Sequence, residues 1–188
     1  MRQLILSQMV SLDGYFAGPH DEIDWHVVDD DFNAEAKAFL DSLDLLVFGR
    51  VTYELMANYW PTPAGLADDP IIAAKMNSLA KVVFSRTITH LDWQNARLAS
   101  ADLADEITTL KQQPGKNMAI FGSGTITSAL TALGLIDIYR MYVAPVILGS
   151  GKPMVTNIPH RVPLKLTSSK SLGSGVVVLT YQPADSAV

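Results

Sequence analysis

LLVFGRVTYELMANYW, residues 45–60, is the stretch on which the fold class turns. Its opening run, Leu45-Leu46-Val47-Phe48, reads as a buried strand. The run breaks at Gly49-Arg50, and Val51, Leu55 and Tyr59 then recur at helical spacing. A strand therefore turns into a helix within two residues. The helix N-terminus at such a junction offers unpaired backbone N–H groups and the positive end of a dipole. Glycine lets another group approach the backbone, and Arg50 and Thr52 add donors. Phosphate suits that environment, although a strand-to-helix turn that binds nothing has the same pattern.

A second junction of this kind lies further along the chain. Met118-Ala119-Ile120-Phe121 reads as a strand, stops at Gly122-Ser123-Gly124-Thr125, and Ile126, Leu130 and Leu133 continue as a helix. Between the two, Lys81-Val82-Val83-Phe84 is a short buried strand ending at Ser85-Arg86-Thr87. In a parallel sheet these three strands end along one edge, where ligands bind in open α/β folds. Two helix N-termini would hold a pyrophosphate, and Arg50 or Arg86 would pair with a further phosphate monoester. A dinucleotide with a 2′-phosphate fits that inventory. The bland alternatives are surface ion pairs for the arginines and turn requirements for the glycines.

Toward the N-terminus, Gln3 to Val10 reads as a first strand stopped by Ser11-Leu12-Asp13-Gly14. Tyr15 to Asp31 is a long irregular segment, a length usual for functional loops. Phe32, Ala36, Phe39, Leu40 and Leu43 then mark a helix that Asp29, Asp30 and Asp31 are suited to cap. Downstream, Pro61 to Pro70 reads as a loop, Ile71 to Ser78 as a helix, and Leu103, Ile107 and Leu110 as another helix, closed by Pro114-Gly115. Ile136 to Leu148 reads as a strand in which Pro145 implies an edge position or a bend. A closing hairpin pairs Leu164–Ser171 with Val176–Gln182, and residues 183–188 read as a frayed tail. The order of elements predicts one α/β domain over residues 1–188. Its sheet is mixed and mostly parallel, with an antiparallel C-terminal hairpin and helices on both faces.

Composition narrows the function. The chain of 188 residues is 48 % hydrophobic and 18 % charged, enough to bury a core in one domain, with apolar excess to cover a subunit interface. Fourteen Lys and Arg against nineteen Asp and Glu give a net charge of -5, which argues against a nucleic-acid surface. The absence of cysteine removes thiolate nucleophiles and Cys-based zinc sites. The four histidines, His20, His26, His90 and His160, lack metal-ligand spacing. The N-terminal apolar run is too short and too soon interrupted by Asp13 for a signal peptide or membrane span, so the cytoplasm is the default location.

Gly122-Ser123-Gly124 is not the G-x-G-x-x-G dinucleotide fingerprint, since Thr127 stands where the third glycine belongs. If a nicotinamide cofactor supplies hydride, the protein positions a substrate against it and supplies a proton. Asp30 and then Asp13 are the candidate carboxylates, with capping or turn formation as their alternative work. His26 is either a proton carrier or an exposed loop histidine, and Tyr15 and Trp25 either stack on a flat ligand or pack in the core.

Beyond single motifs, one set of segments has a recognisable order. It comprises Ser11-Leu12-Asp13-Gly14-Tyr15, Asp24-Trp25, Phe48-Gly49-Arg50-Val51-Thr52-Tyr53-Glu54, Tyr59-Trp60-Pro61, Val83-Phe84-Ser85-Arg86-Thr87, Gly122-Ser123-Gly124, Gly134-Leu135-Ile136-Asp137 and Pro145 to Gly151. This resembles the dihydrofolate-reductase-like family that includes the reductase domain of the riboflavin-biosynthesis deaminase/reductase. The likeness runs in unbroken order from residue 2 to about 182.

The resemblance implies a three-layer fold with a central mixed sheet of about eight strands and NADPH across the strands' carboxyl ends. It implies cofactor phosphate at Gly49, Arg50 and Thr52, the adenosine 2′-phosphate near Ser85 and Arg86, and the pyrophosphate and nicotinamide side at Gly122, Ser123, Gly124 and Thr125. Dihydrofolate reductases carry a proton-donating acid after a Pro-Trp loop, and Asp30 stands five residues after Trp25. The riboflavin enzyme reduces a ribosylaminopyrimidine phosphate. The function implied is an NADPH-dependent reductase of a small heterocycle, acting as a homodimer, with the loop Asp13 to Asp30 holding the substrate. The other reading is a nucleotide-binding sensor or partner module without turnover.

Overall fold

A computed structural model describes residues 1–184. In chain order the elements are β1 (Leu4–Ser11), β2 (Tyr15–Ala17), α1 (Asp30–Asp41), β3 (Leu43–Gly49), α2 (Arg50–Ala57), α3 (Pro63–Asp68), α4 (Pro70–Ser78), β4 (Ala80–Phe84) and β5 (Ala96–Leu98). They continue with α5 (Leu103–Gln112), β6 (Asn117–Ile120), α6 (Gly124–Ala132), β7 (Ile138–Ala144), β8 (Lys152–Pro153), β9 (Leu164–Ser171) and β10 (Val177–Pro183). Eight strands form one sheet in the order β5-β4-β3-β6-β1-β7-β10-β9. Pairing is parallel from β5 through β7 and antiparallel at β7-β10 and β10-β9. This is the mostly parallel sheet with an antiparallel C-terminal hairpin that the sequence predicts.

The central strands are buried on both faces because alternate side chains feed different layers. Leu4, Leu6, Leu45, Val47, Met118 and Ile120 pack with Ile107 and Leu110 of α5 and Ile126 and Leu130 of α6. Ile5, Leu46, Phe48 and Ala119 pack on the other side with Phe39 and Leu40 of α1, Tyr53 of α2 and Ile72 and Met76 of α4. Three layers result, helices on sheet on helices. A third cluster, around Met9, Tyr142 and Val178, closes the C-terminal end of the α1 face.

Four readings need revision. Residues 61–70 are not only loop: Thr62 caps Gly65 N–H and starts α3 with Pro63 in its first turn. β5 and the two-residue β8 are too short for a periodic pattern to mark them. β7 is interior, hydrogen-bonded to β1 and β10, and it ends at Ala144, so Pro145 follows the strand and needs no edge position. Of the predicted tail, Pro183 closes β10 and Ala184 N–H donates to Pro163 O, while 185–188 lie outside the described residues. Among the described residues no helix is long and apolar enough to cross a membrane.

Candidate cofactor and substrate site

β1, β3 and β6 run parallel, and a cavity of about 500 Å³ opens at their carboxyl end. Gln8 enters it from β1, Phe16 and Ala17 from β2, Val51, Thr52, Leu55 and Met56 from α2, and Phe121 to Thr125 from the β6–α6 junction. Lys152 and Asp21 form an ion pair on its rim.

Helix capping sets this end of the sheet apart. Side-chain oxygens of Asp29, Thr62, Asp69 and Asp102 accept N–H groups at the starts of α1, α3, α4 and α5. α2 starts at Gly49 and α6 at Ser123 with no side-chain cap, and neither has an acid in its first turn. First-turn amides at two helix ends are thus left for another acceptor, with the positive dipole ends alongside. The two ends are packed together: a Cβ on Gly49 would stand 2.8 Å from Ser123 Oγ and 3.2 Å from Ile126 Cδ1. Glycine at 49 is a condition of that approach. Gly122 adopts φ +81, a conformation glycine takes without strain.

A smaller cavity of about 160 Å³ lies between β1, β7 and α1. Gln8, His26, Met56 and Phe121 line both cavities. His26 follows Trp25, whose ring stands edge-on to it at 4.5 Å between centroids. Burial pushes the His26 imidazole down and so favours the neutral ring, while the Phe16 backbone acts in the opposite direction. Its Nε2 is buried without a hydrogen-bond partner. Behind the smaller cavity, Arg140 Nε donates to Tyr142 Oη at 2.9 Å, and Arg140 Nη2 pairs with Glu35 at 2.5 Å. Lys170 pairs with the second Glu35 oxygen. Lys170 first, then the Arg140 charge, holds the Glu35 carboxyl below its ordinary range against burial.

The structure brings together Thr52, Gly122, Ser123, Gly124 and Thr125 on the larger cavity, with Gly49 packed beneath Ser123. Arg50, Ser85 and Arg86 do not line it. Arg50 and Ser85 leave the adjacent strands β3 and β4 at one level, since Gly49 and Phe84 are register partners. Arg50 is exposed and paired with Glu54 at 2.9 Å, Ser85 Oγ accepts Thr87 and Ile88 N–H within its turn, and Arg86 is exposed.

Neither candidate carboxylate lines either of these two cavities. Asp30 is exposed in the first turn of α1, and Asp13 accepts Leu148 and Gly149 N–H, tying two loops together. Ser11 and those amides hold the Asp13 carboxyl below its ordinary range. Tyr15 and Trp25 are half-buried outside the lining, Trp25 Nε1 donating to Glu22 O, and their neighbours Phe16 and His26 face the cavities instead. Sequence reasoning missed Gln8, Phe16, Met56, Phe121 and Tyr142. Gln8, Phe16, Met56 and Tyr142 are ordinary members of strands and helices, and Phe121 is the apolar residue that follows β6; none has a motif to single it out.

Comparison with known proteins agrees with this architecture. The family model of the RibD C-terminal domain matches residues 2–178. The uncharacterized protein YyaP of Bacillus subtilis is 32 % identical over 180 residues, covering 96 % of this chain and 94 % of that protein. Among solved structures, the diaminohydroxyphosphoribosylaminopyrimidine deaminase/5-amino-6-(5-phosphoribosylamino)uracil reductase of Thermotoga maritima superposes with a TM-score of 0.69 at 14 % identity. The match covers 97 % of this chain and 57 % of that one. Dihydrofolate reductase from Enterococcus faecalis, solved with NADP(H), gives 0.65 at 14 % identity, covering 97 % of each chain. The fold is that of the dihydrofolate-reductase-like proteins, and the chain belongs to the RibD C-terminal domain family.

Proposed function

We propose that the protein is a cytoplasmic NADPH-dependent reductase, working as a homodimer, that passes hydride to a small heterocycle of the aminopyrimidine kind. One observation carries the reading: two uncapped helix N-termini open on a large cavity that shares four lining residues with a smaller one. The pyrophosphate belongs on the first-turn amides of α2 and α6, with the hydroxyls of Thr52, Ser123 and Thr125. Arg50, Ser85 and Arg86, at the ends of β3 and β4, are the residues for a 2′-phosphate. Bound there, the dinucleotide supplies a hydride. Phe16, Met56 and Phe121 exclude water around it, and Gln8, His26, Met56 and Phe121 form the ground on which cofactor and substrate meet. Substrate type follows the uracil reductase activity named for the Thermotoga protein. The homodimer reading is supported by β9, all eight residues of which are exposed, Leu166 by 49 %.

Titration with NADPH and NADH, read by tryptophan quenching, tests the cofactor assignment, because Trp25 touches His26 at the junction of the cavities. Tighter binding of NADPH is expected, and binding of neither would overturn it. The second reading, a nucleotide-binding sensor without turnover, is favoured by the position of Asp13 and Asp30 outside both cavities. Substrate-dependent loss of reduced-nicotinamide absorbance would reject it.

A further inference from the structure

The lining of the smaller cavity is specific about charge. Ser7, Met9 and Tyr142 form its sheet wall and Phe32, Ala36 and Phe39 its helix wall, and among the described residues no lysine, arginine, aspartate or glutamate lines it. At about 160 Å³ it compares with the ~150 Å³ apolar cavity that accepts a benzene ring. A ribose phosphate needs both more room and a cation.

The nearest cation is spoken for. Ser7 and Met9 of β1 pair in register with Arg140 and Tyr142 of β7, which places all four on the α1 face of the sheet. There Arg140 is split between Tyr142 Oη and Glu35, and the trio's remaining positive charge is on Lys170, whose side chain is 59 % exposed. Because Tyr142 Oη accepts from Arg140, its own proton is free to be donated to a ligand. Burial, ahead of the opposing Arg140 charge, pushes the Tyr142 phenol up and keeps it protonated. The walls therefore offer the Tyr142 O–H donor among the neutral polar side chains of Ser7, Gln8 and His26 and an otherwise apolar lining, with no charged side chain to meet a phosphate.

On the reductase reading given above, we propose that the smaller cavity takes an uncharged, unphosphorylated planar ring bearing a carbonyl. Tyr142 O–H donates to that carbonyl, and Arg140, anchored on Glu35, is the positioning residue that aims the hydroxyl. The substrate then differs from the phosphoribosylated uracil named for the Thermotoga enzyme in lacking the sugar phosphate.

Two probes with the same ring test this: 5,6-diaminouracil and 5-amino-6-(5-phosphoribosylamino)uracil, each titrated calorimetrically into protein saturated with NADP⁺. Expected is at least tenfold tighter binding of 5,6-diaminouracil, with little dependence on salt. Tyr142→Phe should weaken it five- to tenfold while NADP⁺ affinity is unchanged. Arg140→Met should weaken it in the wild-type background and not in the Tyr142→Phe background, a coupling that loss of packing alone would not produce. Tighter, salt-sensitive binding of the phosphoribosyl compound overturns the proposal, as does equal ring affinity in Tyr142→Phe. Binding of neither ring by the NADP⁺-loaded protein overturns the substrate class while leaving the cofactor reading intact. Failure to bind NADP⁺ overturns the reductase reading itself.

Discussion

Discrimination between NADPH and NADH is the sharpest consequence of the cofactor reading, because the two arginines concerned start from different positions. Arg86 is exposed at the end of β4 and has no ion pair among the described residues. A charge-assisted contact to the 2′-phosphate contributes about 1.5–3 kcal/mol, so Arg86→Ala should weaken NADPH by about 10- to 150-fold. Arg50 must first leave Glu54, which it meets at 2.9 Å across one helical turn, with both side chains nearly half exposed. An exposed pair of that kind is worth about 0.3–0.5 kcal/mol, leaving about 1–2.7 kcal/mol, or a 5- to 80-fold loss for Arg50→Ala. Glu54→Gln frees Arg50 and should tighten NADPH by up to about twofold. NADH, which lacks the phosphate, should shift by less than about twofold in all three variants, and the NADPH effects should shrink at high salt. Fluorescence titration of each variant with both nucleotides measures this. Equal losses for NADPH and NADH would refute the 2′-phosphate assignment, and an unchanged NADPH affinity in Arg86→Ala would remove that residue from the site.

Gly49→Ala introduces a methyl 2.8 Å from Ser123 Oγ, about 0.6 Å inside ordinary contact at 3.4 Å, on a backbone of φ -83 that tolerates alanine. The expected overpacking cost is about 1–3 kcal/mol, a fall in Tm of roughly 2–12 °C, with weakened NADPH binding; an unchanged Tm and Kd would show that the two helix ends are not tightly apposed. Lys81 is 1 % exposed, its ammonium donating to the Asn77, Leu79 and Gln94 carbonyls and lying 4.3 Å from the Trp93 ring centroid, and burial pulls it down to about 8. Between that value and about 10.4 the unfolded chain holds a proton that the folded one has released, so stability from Lys81 rises with pH, by up to about 3 kcal/mol. Urea midpoints from pH 7.5 to 10 should show this rise in the wild type and not in Lys81→Met; parallel slopes would contradict it. Asp30→Asn should cost within about 1 kcal/mol of helix-dipole interaction and leave the pH profile of NADPH oxidation unchanged; a lost limb of that profile would return Asp30 to the chemistry.

The sheet was legible because its strands carry strong local marks. Leu45 to Gly49 is buried without interruption, and the breaks at Gly49 and Gly122 announce two helix starts that the fold sets side by side. Residues at those breaks were legible for the same reason: a helix end has unsatisfied amides whatever lies around it. The lining of the smaller cavity was not, because Tyr142, which lines it, and Asp30, which does not, are told apart only by tertiary packing. Asp30 has the right residue type and falls on the solvent side of α1, whereas Tyr142 reads as an ordinary aromatic of β7 until Arg140, Ser7 and Phe32 are seen around it. The choice between Tyr15 and Phe16, or Trp25 and His26, is one of which neighbour faces inward, and an irregular segment has no period to decide it.

The missing caps of α2 and α6 also bear on how the molecule behaves when empty. Four helices close their own ends with side chains, and these two do not. A phosphate seated there would be a detachable part of the architecture, completing two helices that the chain leaves open. The empty protein would then fray first at residues 50–52 and 124–126, and nucleotide at one hundred times its Kd would add about 2.7 kcal/mol of stability. Amide exchange would register the same event as sudden protection at two places more than seventy residues apart in sequence. Occupancy would thus be written into the rigidity of the sheet's open edge.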